Sequence, residues 1–343
     1  MEKMQDARRA VLLVNYNGKD VTEDISKALT SFSYNDAAAG TLDDISLALE
    51  DRDRNWQGPW EPAAGDKIKA EIRTINWDKP GEIKSLPLGK FEVDTFDFAG
   101  PPDAVTIKAV SLPVSSNVRQ EKRTKSWEKT TLKTLAGEVA NRAGLKLLYE
   151  ATDNPSFDRI EQAGISDLAF LLDTATKEAI AIKVSGNKLV LFDEFEYEQQ
   201  PAIATITRGD SNVLGYSFNW STAYVAYRAA ELTYTDTKKK VTYKATYSPP
   251  GAPKIGPVLK LNEQVDSQSA ALRQALKGLR AKNKEAGKGS LNLMGDIRMA
   301  TGLTINIKGW GRFDGKYIIE SCSQVVGSGG YTTSIGIRKV LGW

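Results

Sequence analysis

Alternating apolar and polar residues dominate the first hundred positions of the chain. Across residues 67–74, apolar residues such as Ile68 and Ile72 alternate with charged ones, which is the period-two pattern of a half-buried strand. The apolar phase changes between Val93 and Phe96, which predicts a bulge or a bend. Turn signals separate the apolar runs at positions 17–18, 58–59, 80–81 and 100–102. Several short strands at this spacing predict a sandwich or a small barrel.

The apolar spacing changes to a helical period in the middle of the chain. Residues 132–143 carry apolar side chains three and four positions apart, with Gly144 as the expected C-terminal stop. A second helix is predicted after an N-cap at Ser166, and a hairpin over 180–191 follows it. Residues 113–200 are therefore predicted to form a small α+β unit with two helices.

Strands return in the last third, which is also interrupted by one helix. The region 203–234 is rich in Tyr, Thr and Val, and a third amphipathic helix is predicted over 268–284. The final strands are predicted near 303–310, 316–326 and 331–341. A linker and the helix together form a predicted insertion at about 238–295.

Two distant segments share one local pattern. Residues 89–94 and 315–320 both read Gly-Lys-aromatic-x-aliphatic-acid, and each precedes a Gly-rich or Pro-rich loop and an alternating strand. We interpret this echo as two copies of one β-domain, over 1–112 and 201–343, flanking the α+β unit. The predicted fold class is α+β, mainly β.

Composition removes several kinds of chemistry. The 343 residues contain no histidine and one cysteine, Cys322. The sequence therefore excludes Ser-His-Asp and Cys-His catalysis, His-ligated zinc and an intrachain disulfide. The net charge of +3 gives no argument for a nucleic-acid or membrane partner, and the longest N-terminal apolar run, 11–14, is too short for a signal peptide.

The remaining catalytic candidates are carboxylates. Asp43 and Asp44 are adjacent, and Asp51 and Asp53 are two apart, but solvated turns explain such spacings better than catalysis does. The acidic run 193–198 is predicted to be a solvated face. Neither a calcium loop nor a phosphate-binding loop is present in the sequence. We predict no enzyme activity, no cofactor and no metal site.

Basic and aromatic residues supply the candidate protein-interface positions. These are Trp56, Trp60, Arg273, Lys277, Arg280, Lys284 and Trp343. The four cations form one stripe on the third helix, which is either a solvated face or a docking surface for an acidic partner or a nucleic-acid backbone. The tryptophans, which lie in a turn-rich segment and at position 343, either anchor an interface or cap β-barrel cores.

Short motifs in order along nearly the whole chain resemble one known family. They lie at 51–56 with Trp60, 100–103 and 105–108, Trp127 with Leu132 and Leu135, 143–145, 159–162 and 166–171, 313–320, and 330–333. The set resembles the phage late control protein D family, the baseplate hub of contractile tails and tailocins.

That resemblance implies an architecture and a set of partners. The implied fold is related to the head of type VI secretion spike proteins, with two tube-like β-barrel domains flanking a smaller part. Three subunits would form a ring that adapts a sixfold tail tube to a threefold spike. The implied partners are a separate spike protein, the tail tube or tube-initiator protein, other baseplate proteins and the tape measure, with no membrane insertion and no specific nucleic acid.

The implied location is the virion or tailocin particle, assembled in the host bacterial cytoplasm. Two other functions fit the sequence. A cell-wall hydrolase could act at a tail tip, and a carbohydrate-binding β-module could use exposed tryptophans.

Overall fold

The fold is described from a computed structural model. The structure describes residues 7–37, 42–111, 118–119, 121–185, 187–219, 227–237, 240–252, 254–265 and 267–343. The predicted boundary at 112–113 and the predicted start of the insertion near 238 lie outside these residues. Strands form most of the regular structure, which confirms the mainly β class.

The first β region contains seven strands and one short helix. They are β1 (Arg9–Tyr16), β2 (Lys19–Asp20), α1 (Thr22–Ala28), β3 (Leu29–Asp36), β4 (Asp44–Glu50), β5 (Lys67–Ile75), β6 (Ile83–Ala99) and β7 (Ala104–Val110). The strands pair in the order β3-β4-β7-β6-β5-β1-β2, all antiparallel. The alternation predicted for β5 is confirmed, since Ile68 and Ile72 are buried. The sequence did not predict α1, whose one buried residue, Ile25, is too little to show a helical period.

The middle unit combines two predicted helices with short strands. Its elements are β8 (Lys122–Thr131), α2 (Leu132–Arg142), β9 (Lys146–Tyr149), β10 (Ser156–Ser166), α3 (Asp167–Lys177), β11 (Ala181–Ser185), β12 (Lys188–Phe192) and α4 (Glu194–Gln199). The hydroxyls of Thr131 and Ser166 cap α2 and α3 by accepting from backbone N–H groups at the third position. The apolar faces of both helices pack with β9, β11 and β12 in one core.

The last region contains a second β region and an inserted module. Its elements are β13 (Thr205–Thr207), β14 (Val213–Asn219), β15 (Ala229–Asp236), β16 (Val241–Tyr247), β17 (Val258–Leu261), α5 (Gln268–Asn283), β18 (Lys288–Met294), β19 (Thr304–Lys308), β20 (Gly315–Gly327) and β21 (Gly330–Lys339). Single 3₁₀ turns lie at Lys284–Ala286 and Gly311–Phe313. The module consists of the three-stranded sheet β16-β15-β17 with α5 packed on it.

The two β regions have the same strand order. Counted along the chain without β2 and the module, each region has six strands, and both sheets run second-third-sixth-fifth-fourth-first. In the first region this is β3-β4-β7-β6-β5-β1, and in the second it is β14-β18-β21-β20-β19-β13. They differ in the last pair, since β1 is antiparallel to β5 whereas β13 is parallel to β19.

Irregularities of the backbone recur at equivalent positions. The ladder of β6 with β7 skips Asp94, and that of β20 with β21 skips Glu320, the final acid of each six-residue echo. The predicted bulge after Val93 is therefore confirmed. Gly65 and Gly302 both have a left-handed φ, +87° and +82°. Each donates its N–H at 2.9 Å to the strand residue just before the skipped acid, Val93 or Ile319.

A second sequence echo becomes visible once the strands are aligned. Residues 29–35 read LTSFSYN in β3, and residues 213–219 read VLGYSFN in β14. Their partner strands share Ser-Leu-x-Leu, at 46–49 and 290–293. Both ladders shift register at the same place, after Leu29 and after Val213. The two β regions thus share topology, bulges and side-chain pattern.

The two regions are joined into one 13-stranded sheet. Residues 322–327 of β20 pair antiparallel with residues 31–36 of β3. Across the described residues the sheet path stays open, from β14 at one end to β2 at the other. The ladders therefore do not close either region into a barrel, and the expectation of two barrel domains stays a prediction.

Candidate assembly surfaces and ionic junctions

The basic stripe of α5 is largely paired within the chain. Lys277 Nζ lies 2.7 Å from Glu178 Oε2 of the middle unit, and Arg280 Nη2 lies 3.0 Å from Glu198 Oε2 of α4. Arg273 is exposed. The apolar face of α5 packs on the module sheet, and the opposite face contacts the middle unit through Lys277 and Arg280. These cations therefore hold the module against the rest of the chain, and Arg273 is the stripe residue that faces solvent.

A buried arginine pairs with the carboxylates of α4 that face α5 and with one carboxylate of β20. Arg338 of β21 is 2% exposed and lies 2.8 to 3.0 Å from three carboxylates, Glu194, Glu198 and Glu320. Lys284 also pairs with Glu194. Burial favours the neutral form of Glu194, but these two cations outweigh it and hold its pKa below the usual range.

The expectation that residues 193–198 form a solvated acidic face is wrong for Glu198, the last acid of the run, whereas Glu196 is exposed. Asp193 caps α4 by accepting from the N–H of Phe195, and Glu198 is 0% exposed. The physical reason is that α4 packs between α5 and β21, where its carboxylates meet Arg280 and Arg338.

A second buried junction joins all three parts of the chain. Asp36 of β3 accepts the backbone N–H of Thr301 at 2.7 Å and its hydroxyl at 2.8 Å, and it also pairs with Lys183 of β11. Asp43 lies 3.9 Å from Lys183 and accepts a hydrogen bond from Tyr34. Burial raises the pKa of Asp43 to about 6, against the attraction of the Lys183 charge.

Three of the four candidate catalytic carboxylates have partners within the fold. Asp43 belongs to the junction above, and Asp44 accepts from the side chain of Asn35 at 2.8 Å. Asp51 accepts from the backbone N–H of Trp56 at 3.0 Å, while Asp53 is exposed. Among the residues that the structure describes, no group of three acidic or Cys side chains could hold a metal ion.

The three singled-out tryptophans have different environments. Trp56 is 8% exposed and packs on the first core, whereas Trp60 is 45% exposed and meets Trp56 edge to face at 5.7 Å. Trp343 covers the module core, 6.0 Å from the ring of Tyr247 and 5.6 Å from the guanidinium of Arg280. Trp56 and Trp343 thus cap cores, and Trp60 presents an open ring edge.

Two of the motif segments meet in space. The N–H of Asp51 donates to the carbonyl of Asp103 at 2.8 Å, and Arg54 Nε lies 3.1 Å from the Asp103 carboxylate. The segment 100–103 contains two cis peptide bonds, before Pro101 and before Pro102. These two motifs therefore meet where β4 ends and β7 begins.

A cleft of about 570 Å³ separates the middle unit from the second β region. Its lining includes cations and carboxylates in balance: Lys183, Lys188, Arg338, Glu150, Glu194 and Glu320. Because Arg338 already pairs with both Glu194 and Glu320, the cleft has the chemistry of an interdomain seam.

The single thiol is sequestered. Cys322 is buried and donates to the carbonyl of Met299 at 3.3 Å, and burial raises its pKa.

Within the described ranges, no helix has both the length and the apolar character needed to cross a membrane.

The two ionic junctions were missed by sequence reasoning. In β21, Ile335 and Ile337 are inward positions, so the alternation predicts that Arg338 points outward, but Arg338 is 2% exposed. The sequence therefore gives no local signal of its burial or of its partners. Glu194 and Glu198 lie 144 and 140 positions away in the chain.

Comparison with known proteins gives sequence relatives of one kind. No protein-family model matches the chain. The probable baseplate hub protein of Escherichia phage 186 is 25% identical over 240 residues, which is 68% of this chain and 59% of the relative. The probable baseplate hub protein of Escherichia phage P2 is 27% identical over 232 residues, 65% of this chain and 56% of the relative. The chain thus spans less than three-fifths of either relative's length.

Solved structures share the fold over nearly the whole chain. A tail protein from Neisseria meningitidis matches with a TM-score of 0.72 and 13% identity, covering 96% of this chain and 97% of that one. A 43 kDa tail protein of prophage MuSo2 from Shewanella oneidensis matches with a TM-score of 0.70 and 14% identity, covering 95% and 97%. A type VI secretion component from E. coli matches with a TM-score of 0.57 and 11% identity, covering 91% and 74%.

The resemblance expected from the motifs is therefore confirmed by the sequence relatives, and the solved structures add the fold. The chain is similar in sequence to the probable baseplate hub proteins of two phages, and it shares its fold with tail proteins.

Proposed function

We propose that this chain is a structural baseplate hub protein of a phage tail or of a phage-derived contractile injection particle. The observation that carries the proposal is the repeated strand order of the two β regions. It occurs in a chain whose sequence relatives are named probable baseplate hub proteins. A duplicated β unit is the feature that such a hub needs.

The duplication supplies the symmetry argument. Three copies, each with two similar β units, place six similar units around one axis, so a threefold ring can meet a sixfold tube and still hold a threefold spike. The two units are the proposed tube-like barrel domains, over 1–112 and 201–343, with the α+β unit of 113–200 between them. Shared bulges and matched glycine turns support their equivalence.

The work of this hub is assembly through buried interfaces, not catalysis. The carboxylates of the candidate catalytic pairs that are buried, Asp43 and Asp51, serve as hydrogen-bond acceptors within the fold. The partners are two further copies of this chain, a spike protein, the tail tube or its initiator, the tape measure and other baseplate proteins. The particle is assembled in the host bacterial cytoplasm.

Light scattering of the purified chain, alone and mixed with the spike protein from the same genome, tests the proposal. The expected mass is that of three copies, alone or in the mixture, and negative-stain images should show a ring with a central hole. A stable monomer in the mixture would contradict the hub function. Clearing of a cell-wall suspension by the purified chain would instead favour a hydrolase.

A further inference from the structure

A small acidic pocket, which we call the indole pocket, lies beside two tryptophans of the first β region. It has a volume of about 200 Å³ and is formed by α1, the end of β4 and the loop that follows β4. Its walls include four carboxylates and two indoles: Asp24, Glu50, Asp51, Asp53, Trp56 and Trp60. Two cations, Lys27 and Arg52, also line it.

Both cations of the indole pocket are already paired. Arg52 Nε lies 2.7 Å from Glu50 Oε2, and Lys27 Nζ lies 3.1 Å from Glu23, which is not part of the pocket wall. Three of the four wall carboxylates, all of them aspartates, therefore have no cation among the described residues. The pocket has an excess of negative charge.

One of these aspartates is buried with half of its carboxylate unpartnered. Asp51 is 2% exposed, and its Oδ1 accepts a hydrogen bond from the backbone N–H of Trp56 at 3.0 Å. Its Oδ2 is also buried and has no hydrogen-bond partner in the part of the chain that the structure describes. A buried charge without compensating partners is costly, and a cation placed in the pocket would offset that cost.

The two indoles add a second attraction for a cation. Trp60 is 45% exposed, and its ring centroid lies 5.7 Å from that of Trp56. Indole is the aromatic group that attracts cations most strongly, at distances up to about 6 Å from the ring centroid. The cation–π contacts found among the described residues all involve other rings. The two indoles of the pocket are therefore open to a cation from outside the chain.

Main-chain hydrogen bonds hold the loop that forms the pocket. The N–H of Asp51 donates to the carbonyl of Asp103 at 2.8 Å, and the N–H of Arg54 donates to the carbonyl of Asp51 at 2.9 Å. The N–H of Trp60 donates to the carbonyl of Asn55 at 2.8 Å. A site that is fixed in advance loses less conformational entropy when it binds a ligand.

The internal repeat shows what the same position holds in the second β region. The shared Ser-Leu-x-Leu aligns Asp51 with Gly295, whose N–H donates to the carbonyl of Tyr331 at 2.8 Å. The carbonyl of Gly295 accepts from Trp77 Nε1 of the first β region at 2.6 Å, and the ring of Trp77 lies 5.3 Å from that of Tyr331. The position after β18 thus holds a side chain from a neighbouring β unit, whereas the position after β4 is open.

We propose that the indole pocket binds the guanidinium or ammonium group of an arginine or lysine side chain that a neighbouring protein chain presents. The cation lies against the ring of Trp60 and beside the carboxylate of Asp51, and the exposed carboxylate of Asp53 adds to the attraction. A neutral ligand such as a sugar would leave the charge of Asp51 unpaired. The preference for a cation follows from this chain alone, while the neighbour's membership of the same particle rests on the proposed function.

Nuclear magnetic resonance of the chain with ¹⁵N-labelled tryptophan tests the preference for a cation. The probes are the N-acetyl methylamides of arginine and lysine, with that of citrulline as the uncharged analogue of arginine, and Trp60→Phe identifies the Trp60 signal. Both cationic probes should shift this signal, and citrulline at the same concentration should not. Equal shifts with citrulline and arginine would overturn the proposal, as would shifts with N-acetylglucosamine but with neither cation.

Substitutions in the pocket give a second test. Asp51→Asn keeps the acceptor for the N–H of Trp56 but removes the buried charge, so the arginine probe should bind about tenfold more weakly. The exposed carboxylate of Asp53 contributes less, and Asp53→Asn should weaken binding about two- to fivefold. Glu61→Gln is the matched control, because Glu61 is exposed in the same loop but is not part of the wall, and it should bind as the wild type does.

Trp60→Leu keeps the test valid if Asp51→Asn fails to fold. Loss of the indole at this exposed position should weaken binding of the arginine probe about two- to fivefold, and thermal unfolding reports whether the variant folds. Equal affinity of the wild type, Asp53→Asn and Trp60→Leu for the probe would overturn the proposal.

The same titration separates the two sources of the cation. If a second copy of this chain supplies it, the arginine probe binds the dilute monomer and is excluded from the oligomer. If another protein supplies it, monomer and oligomer bind the probe equally. Failure of both forms to bind either cationic probe would overturn the proposal and leave the hub function intact, whereas a chain that binds the probe but stays monomeric with the spike protein would contradict the hub function alone.

Discussion

Removal of the Arg338 guanidinium is the sharpest test of how the parts of the chain are held together. Arg338→Met keeps much of the apolar stem but removes the one cation that contacts Glu194, Glu198 and Glu320 together. Glu198 would keep Arg280 as its partner, and Glu194 would keep Lys284. Glu320, whose side chain is 33% exposed, would keep Lys288 at 3.7 Å. The substitution therefore leaves each carboxylate with one cation and takes the second cation from the fully buried Glu198.

The burial of Arg338 and its partners sets the expected loss in the free energy of unfolding. Removing one partner of a buried ion pair costs about 3–5 kcal/mol, because the other charge stays desolvated. Arg338 is 2% exposed and Glu198 is 0% exposed, but Glu198 keeps Arg280, so we expect a loss at the lower end of this range, about 3 kcal/mol. Replacing Glu198 by Gln in the same chain removes the most buried of the carboxylates. The double variant should therefore be more stable than the sum of the two single losses predicts.

Denaturant unfolding, followed by tryptophan fluorescence and by circular dichroism, measures the change in the free energy of unfolding. Arg298→Met is the control, because Arg298 also contacts its carboxylate partner, Asp296, at 2.6 Å, but its side chain is 58% exposed. That exposed pair should contribute less than about 1 kcal/mol. Similar losses for the Arg338 and Arg298 variants would refute the reasoning, since burial would then not govern the cost.

Three further predictions follow from burial at other positions. Burial raises the pKa of Asp43 from 3.8 to about 6, so the folded state holds this proton more tightly than the unfolded state does. The free energy of unfolding should therefore fall as the pH rises between those two values. The fall, measured from urea midpoints, should be smaller in Asp43→Asn. Trp56→Ala should destabilise by about 3–5 kcal/mol and Trp60→Ala by clearly less, because only Trp56 is buried; equal shifts in thermal unfolding would contradict this. Cys322 should react with a thiol reagent only as fast as the chain unfolds, and a rapid reaction of the native protein would show that its thiol is accessible.

Local periodicity predicted the elements that bury one face. In β5, Ile68 and Ile72 mark the inward phase, and in α2 the spacing of apolar residues marks the face that packs on β9. The echo at 89–94 and 315–320 was also readable, because a bulge and its flanking turn restrict residue types at fixed positions. These features depend on neighbours within a few residues.

Features that depend on distant partners could not be read in this way. The apolar spacing predicted helix α5 correctly, but the sequence does not show that Arg280 contacts Glu198 of α4. Likewise Asp36 and Lys183 pair across 147 positions of sequence. An ion pair has no period, so its partners emerge only after the strands and helices have been placed.

The differences between the two β regions matter as much as their likeness. Six identical units around an axis would offer a threefold partner no distinct positions, whereas two alternating kinds of unit do. The chain makes its units different between β14 and β18, where it inserts the β15–α5 module, while β3 and β4 are joined directly. The module is fixed in place by Lys277 and Arg280, which pair with the middle unit and α4. Under the proposed function, the strands that the two β regions share would contact the sixfold tube, and the β15–α5 module would mark the threefold side of the hub.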